Sequence, residues 1–185
     1  MKNFCNVCMK MENIVVEEVL ENVNVKGVEF DAMLKVPKCE ACGTKLFVKD
    51  IERENDKKVY DEYKRRNNLL TSSQVEEIRD SFGLSQKSFA KLLGFGEKTI
   101  TRYENGSIQD YAHDNLIRLI KRKINLSEIW SLRKDRLTEK ENEIIEFALT
   151  TYLDLSFTYK CNVNPFVSYN VEIMSEKDKG DSYER

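Results

Sequence analysis

Two cysteine pairs, Cys5-x-x-Cys8 and Cys39-x-x-Cys42, constrain the fold of this chain more than any other feature. Two residues between thiolates let a tight turn present both sulfurs to one ion, and two such turns complete a tetrahedral four-thiolate shell. The segment between the pairs, residues 9–38, must therefore double back. Val23 and Val25 alternate with Asn22, Asn24 and Lys26, Gly27 marks a turn, and Val28 and Phe30 alternate with Glu29 and Asp31. That alternation predicts a β-hairpin closed at its base by a metal. Gly43, directly after the second pair, fits a turn position with positive φ. Soft thiolates in tetrahedral geometry select zinc. A redox role and an iron–sulfur cluster are the alternatives, and two pairs in one short segment favour metal over disulfide chemistry. With Cys5, Cys8, Cys39 and Cys42 all on one zinc, no position stays open for water or substrate, so the ion is expected to be structural. Cys161 is left over and reads as a spare thiol.

Residues 84–106 read as two short helices joined by a glycine turn, the plan of a helix-turn-helix. Ser85 is expected to cap the first helix, whose Phe89, Ala90, Leu92 and Leu93 face inward, and Gly94 supplies the turn. The second helix is expected over residues 97–105, closed by Gly106. A preceding helix carries Val75, Ile78 and Phe82 after a Ser73–Glu76 capping box and stops at Gly83. A following helix after Asp110 is expected to bury Ala112, Leu116, Leu119 and Ile120. Ile100 and Tyr103 would anchor the second helix of the motif, leaving Lys98, Thr99, Thr101 and Arg102 outward. Arg102 can donate two hydrogen bonds to guanine O6 and N7. Lys98 can do so less rigidly or hold a phosphate, and the threonines can touch a thymine methyl or a phosphate. Gln86 and Lys87, at the start of the preceding helix, complete the expected DNA-binding set. The plain alternative is a solvated helix face. His113, the only histidine, reads as a surface or packing residue.

Charge distribution supports the DNA reading. The 185 residues carry a net charge of −2, but residues 64–123 hold 12 basic and 7 acidic side chains while both flanks are acidic. Phosphate neutralisation requires basic charge where the reader is. No apolar run approaches the ~18–20 residues of a membrane span, and the N-terminal stretch lacks a signal-peptide core, so a cytoplasmic protein with no membrane partner is expected. An enzyme is not expected: the sequence offers no open metal position, no paired histidine base and no carboxylate constellation.

The expected class is α+β, with five segments. A small zinc-ribbon-like β module spans residues 1–48. A charge-rich linker helix, too sparse in apolar residues for a core of its own, spans 49–68. An all-α, Xre-like helix-turn-helix domain spans 69–125. A C-terminal helical extension spans 126–174, with a Thr138–Glu141 capping box and an apolar stripe of Ile144, Ile145, Ala148, Leu149 and Tyr152. It either packs on the reader domain or a second subunit, or binds a partner. Residues 156–174 could form short strands, and residues 175–185 read as a disordered tail.

Together the landmarks Cys5-x-x-Cys8, Cys39-x-x-Cys42-Gly43, Gly83-Leu84-Ser85-Gln86, Arg102-Tyr103-Glu104-Asn105-Gly106 and His113-Asp114 resemble the MqsA/YgiT-type antitoxins over residues 4–125. The resemblance implies a two-domain antitoxin of a type II toxin–antitoxin system. Its N-terminal zinc domain would be structural and bind a cognate toxin. Its C-terminal domain would form a homodimer and repress its own operon on a palindromic DNA operator. Members of that family read DNA with an asparagine and an arginine on the recognition helix. The arginine matches Arg102, but the asparagine position holds Lys98. Lysine cannot make asparagine's paired bonds to adenine, so the family's target sequence does not carry over. The alternative function is a zinc-ribbon/helix-turn-helix transcriptional regulator, of phage or mobile-element type, without a toxin.

Overall fold

Lys26 and Gly27 make the turn on which the N-terminal module is built. In the computed structural model, which describes residues 1–158 and the side chains of residues 1–150, strand β2 (Lys10–Val25) runs antiparallel into β3 (Val28–Cys39). Lys26 (φ 50°) and Gly27 (φ 84°) both take left-handed backbone, the turn geometry that matches the right-handed twist of the flanking strands. Pairing runs from Val25↔Val28 to Ile14↔Cys39. A strand that the alternation does not reveal, β1 (Lys2–Cys5), pairs with the first residues of β2, giving the order β1-β2-β3. Its four residues, Lys-Asn-Phe-Cys, carry no period-two signal.

Helix α1 (Lys49–Arg66) corrects the expectation of a merely solvated bridge. Its Val59, Tyr60 and Tyr63 pack with Val25, Phe30, Ala32 and Leu69, so helix and hairpin share one core. The Asn55 side chain accepts from the Lys35 N–H (2.9 Å) and donates to the Lys35 carbonyl (2.8 Å), standing in for a strand partner at the edge of β3. Lys64 is fully buried, and its ammonium donates to Asp61 Oδ1 and Ser72 Oγ, each at 3.0 Å. Charged side chains can be buried once paired and hydrogen-bonded, and composition does not disclose the pairing.

Helix α2 (Ser72–Asp80) is capped by Thr71 with Gln74, not by Ser73 with Glu76. The Ser72 N–H and hydroxyl both donate to Asp61, which fixes the helix start two residues earlier. Helix α3 (Gln86–Leu93) begins at the expected cap Ser85 and ends at Gly94 (φ 76°). Helix α4 (Thr99–Glu104) is shorter than expected, with Lys98 at its N-cap and Glu97 in the turn. Helix α5 (Tyr111–Leu119) is capped by Asp110. Its inner face is also rotated from the expected stripe. Ala112 and Leu119 are exposed, while Asp114, Ile117 and Ile120 point inward.

Two further helices follow, α6 (Lys123–Arg133) and α7 (Glu139–Thr158), joined through a 3-10 turn (Lys134–Arg136). Leu126, Leu137 and Ile145 enter the same core as Val75, Phe89, Leu92, Ile100 and Ile117. The first part of the C-terminal extension thus packs on the reader. The Thr138–Glu141 box forms as expected, with the Thr138 N–H donating to Glu141 Oε2 (2.7 Å) and the Glu141 N–H to Thr138 Oγ1 (3.3 Å). Met1–Thr150 form one compact unit and the residues beyond belong to a second. Residues 156–158 are helical, not strand. The rest of the expected strand segment, Cys161 and the tail lie outside the described residues, as do the contacts of Tyr152.

Candidate metal centre and nucleic-acid interface

The end of β1 delivers Cys5, the β1–β2 turn Cys8, the end of β3 Cys39, and the turn after it Cys42. Their sulfurs all lie within 4.8 Å of one another. Cys5 and Cys42 sulfurs are 3.5 Å apart and those of Cys8 and Cys39 are 3.9 Å apart. A tetrahedral ion with metal–sulfur bonds of about 2.3 Å sets its sulfurs about 3.8 Å apart, so the four side chains already stand at ligand spacing. Each pair is braced by backbone. The Cys8 N–H points at Cys5 Sγ (3.4 Å). On the other side the Gly43 N–H donates to the Cys39 carbonyl (2.8 Å), and Gly43 takes φ 73°.

Cys5 and Cys39 are buried, Cys8 is half-buried and Cys42 exposed. Hydrogen bonds from the Thr44 hydroxyl and N–H hold the Cys42 thiol down to about 6. The hydrogen bond shared with Cys42, followed by burial, pushes Cys8 up to about 12. The sulfurs share a proton through these hydrogen bonds, and a cation at the centre would take its place. The donor set fits one metal ion.

The second site is the outer side of α3 and α4. Lys98 and Arg102 are exposed, and Thr99, Thr101 and Gln86 are half-buried. Arg102 lines a cleft of about 480 Å³ with Asn24, Lys26, Tyr60 and Ser107, so the hairpin tip stands beside the reading helix. Lys87 pairs with Glu97 at 3.0 Å. Gln86 donates to Glu104 Oε2 (2.6 Å) and accepts from the Thr101 hydroxyl (2.6 Å). Glu104 is in turn gripped by Arg79 through Nε (2.6 Å) and Nη2 (3.0 Å), a two-pronged pair. Two of the six residues expected at DNA, Gln86 and Thr101, are thus held by an internal network in this chain.

Sequence reasoning missed Arg79 and named Glu104 only within the family landmark, with no role. They lie 25 residues apart, and no local period links them. Asp114, named only in the His113-Asp114 landmark, accepts from the Leu70 N–H (2.7 Å), Gln109 Nε2 (2.9 Å) and Arg118 Nε (2.6 Å). His113 takes the expected packing role. It stacks on Phe95 with ring centres 3.8 Å apart, and its Nδ1 lies 2.7 Å from the Tyr103 hydroxyl.

A family model described as the antitoxin component of a bacterial toxin–antitoxin system, MqsA, matches residues 1–130. The chain belongs to the MqsA antitoxin family. No curated protein matches it. The matched stretch contains all four cysteines and helices α1 to α5. The 3-10 turn and α7 lie beyond it. Among the described residues no helix is long and apolar enough to cross a membrane.

Proposed function

We propose that this antitoxin carries one structural zinc ion, binds duplex DNA through α3 and α4 as a homodimer on a palindromic operator, represses its own operon, and binds a cognate toxin. The observation that carries the DNA half is the pose of α4. Arg79 of α2 grips Glu104 at its C-terminal end, Ile100 and Tyr103 anchor it in the core, and Lys98 and Arg102 remain exposed at its start and middle. A helix so held presents charge to a groove without a further ordering cost. Repression needs no chemistry: a dimer spanning two half-sites ~34–36 Å apart excludes polymerase. The zinc half rests on four thiolates at tetrahedral spacing. The toxin half rests on family membership.

Arg102→Ala tests the reading. The expected loss is ~1–3 kcal/mol of specific binding, with relaxed preference at one base position. Gel-shift titrations against a half-site substitution series measure it, and unchanged discrimination would overturn the role. Co-purification with the product of an adjacent reading frame tests the toxin half.

A further inference from the structure

The turn between α6 and α7 lies outside the family match and rests on the reader. Three contacts fix its position. On α3, the Ser85 and Ser88 hydroxyls lie 2.6 Å apart, and Ser88 donates to Glu141 in the first turn of α7. Lys91, one turn further along α3, pairs with the same Glu141 at 3.6 Å. At the other end of α3, the Arg133 guanidinium covers the α3–α4 turn: a Cβ added to Gly94 would lie 2.8 Å from its Nη2. The 3-10 turn and the start of α7 are thereby held along one side of α3, from Ser88 to the glycine turn.

That strip carries Lys134, Arg136 and Lys140, all exposed. None of the three has a carboxylate partner among the described residues. The acidic neighbours are Asp135, Glu139 and Glu141, and Glu141 is already engaged by Ser88, Thr138 and Lys91. On the motif itself Lys98 is likewise exposed, and Lys87 is exposed but paired with Glu97. In a helix-turn-helix the first helix of the motif crosses the DNA backbone while the second enters the groove. Basic side chains fastened beside that first helix stand where phosphates pass.

We propose that Lys134, Arg136 and Lys140 form a phosphate-binding strip that extends the DNA footprint of α3 and α4. The proposal rests on the DNA-binding reading above. The strip gives affinity without base preference, because phosphate contacts position a protein and carry no sequence information directly. Its signature is the salt dependence of binding, since each phosphate neutralised contributes about 0.9 to the log–log slope.

The test uses the full chain, zinc-loaded, and a short mixed-sequence duplex titrated across a salt series. The triple variant Lys134→Gln, Arg136→Gln, Lys140→Gln is expected to lower the slope by about 2–3 and to weaken binding at low salt by tenfold or more. The charge-keeping variant Lys134→Arg, Arg136→Lys, Lys140→Arg is expected to bind as the parent does, which separates charge from any packing effect. A parent slope retained by the glutamine variant overturns the strip and leaves the α4 reading intact. A loss shared equally by both triple variants also overturns it. A parent chain that binds no duplex at low salt overturns the DNA reading itself.

Discussion

Lys64 and Asp61 stand three residues apart on α1, and neither faces water. Burial drives the Lys64 ammonium below its ordinary range although Asp61 bonds to it. Burial drives the Asp61 carboxyl up, but the Ser72 N–H and hydroxyl together with Lys64 outweigh it and hold the group below the usual carboxylate range. Removing one partner strands the other, so Asp61→Ala is expected to cost about 3–5 kcal/mol in denaturant unfolding. Replacing both, as Asp61→Leu with Lys64→Met, is expected to cost far less, because the desolvation penalty goes with the pair. A small loss for the single variant would reject this account. Nothing in the sequence announces the pair: a lysine and an aspartate in a charged helix look alike whether paired in the core or dissolved in solvent. The cysteines are the opposite case. Their spacing and side-chain chemistry are sufficient to name the cluster, and the four sulfurs stand together as expected.

Among the elements, α7 is fastened to the reader by Ile145 in the core and by Glu141 at its start. Burial raises the Glu141 pKa, but hydrogen bonds from Ser88, the Thr138 N–H and the Thr138 hydroxyl, with Lys91 nearby, hold it down to about 2. A carboxyl depressed in the folded state stabilises the fold above its unfolded pKa, so that stabilisation is lost as pH falls from about 5 towards 2. Trp130, the only tryptophan, donates to Asn142 on α7 at 2.8 Å and reports the contact. The Glu141→Gln variant is expected to lose part of the acid dependence of unfolding followed by tryptophan fluorescence. Superimposable pH profiles would show that α7 is held in another way. The helices were legible because caps and apolar periods are local signals, as at Ser85, Thr138 and Asp110. Where a distant side chain competes for the cap or the inner face, the local signal fails. Asp61 moves the start of α2, and Asp114 claims the inner side of α5. Strand β1 went unread because its pairing partner, not its own pattern, makes it a strand.

At the scale of the whole molecule, three apolar clusters are strung along the described residues. Cys5, Cys39 and Leu46 make the one at the thiolates, the hairpin tip and α1 make the second, and the reader with α6 and the start of α7 makes the third. The ion should therefore be essential to the first cluster alone. Chelation, or Cys39→Ser, is expected to open residues 1–15 and 38–48 to proteolysis. Helices α2 to α5 should keep their protection, and duplex affinity should change by less than about threefold, under 1 kcal/mol. Equal protease resistance with and without metal would contradict this. The division into clusters was partly legible in advance. What could not be foreseen is that α1 belongs to the second cluster, because its few apolar residues need the hairpin to complete them.

The register from Val25↔Val28 to Ile14↔Cys39 has a mechanical consequence. At about 3.4 Å per residue the paired arms reach roughly 37 Å, with the sulfurs at the far tip of the lever and Arg102 beside its fulcrum. The two partners proposed above would therefore have separate footholds, one at the outer end and one at the inner end.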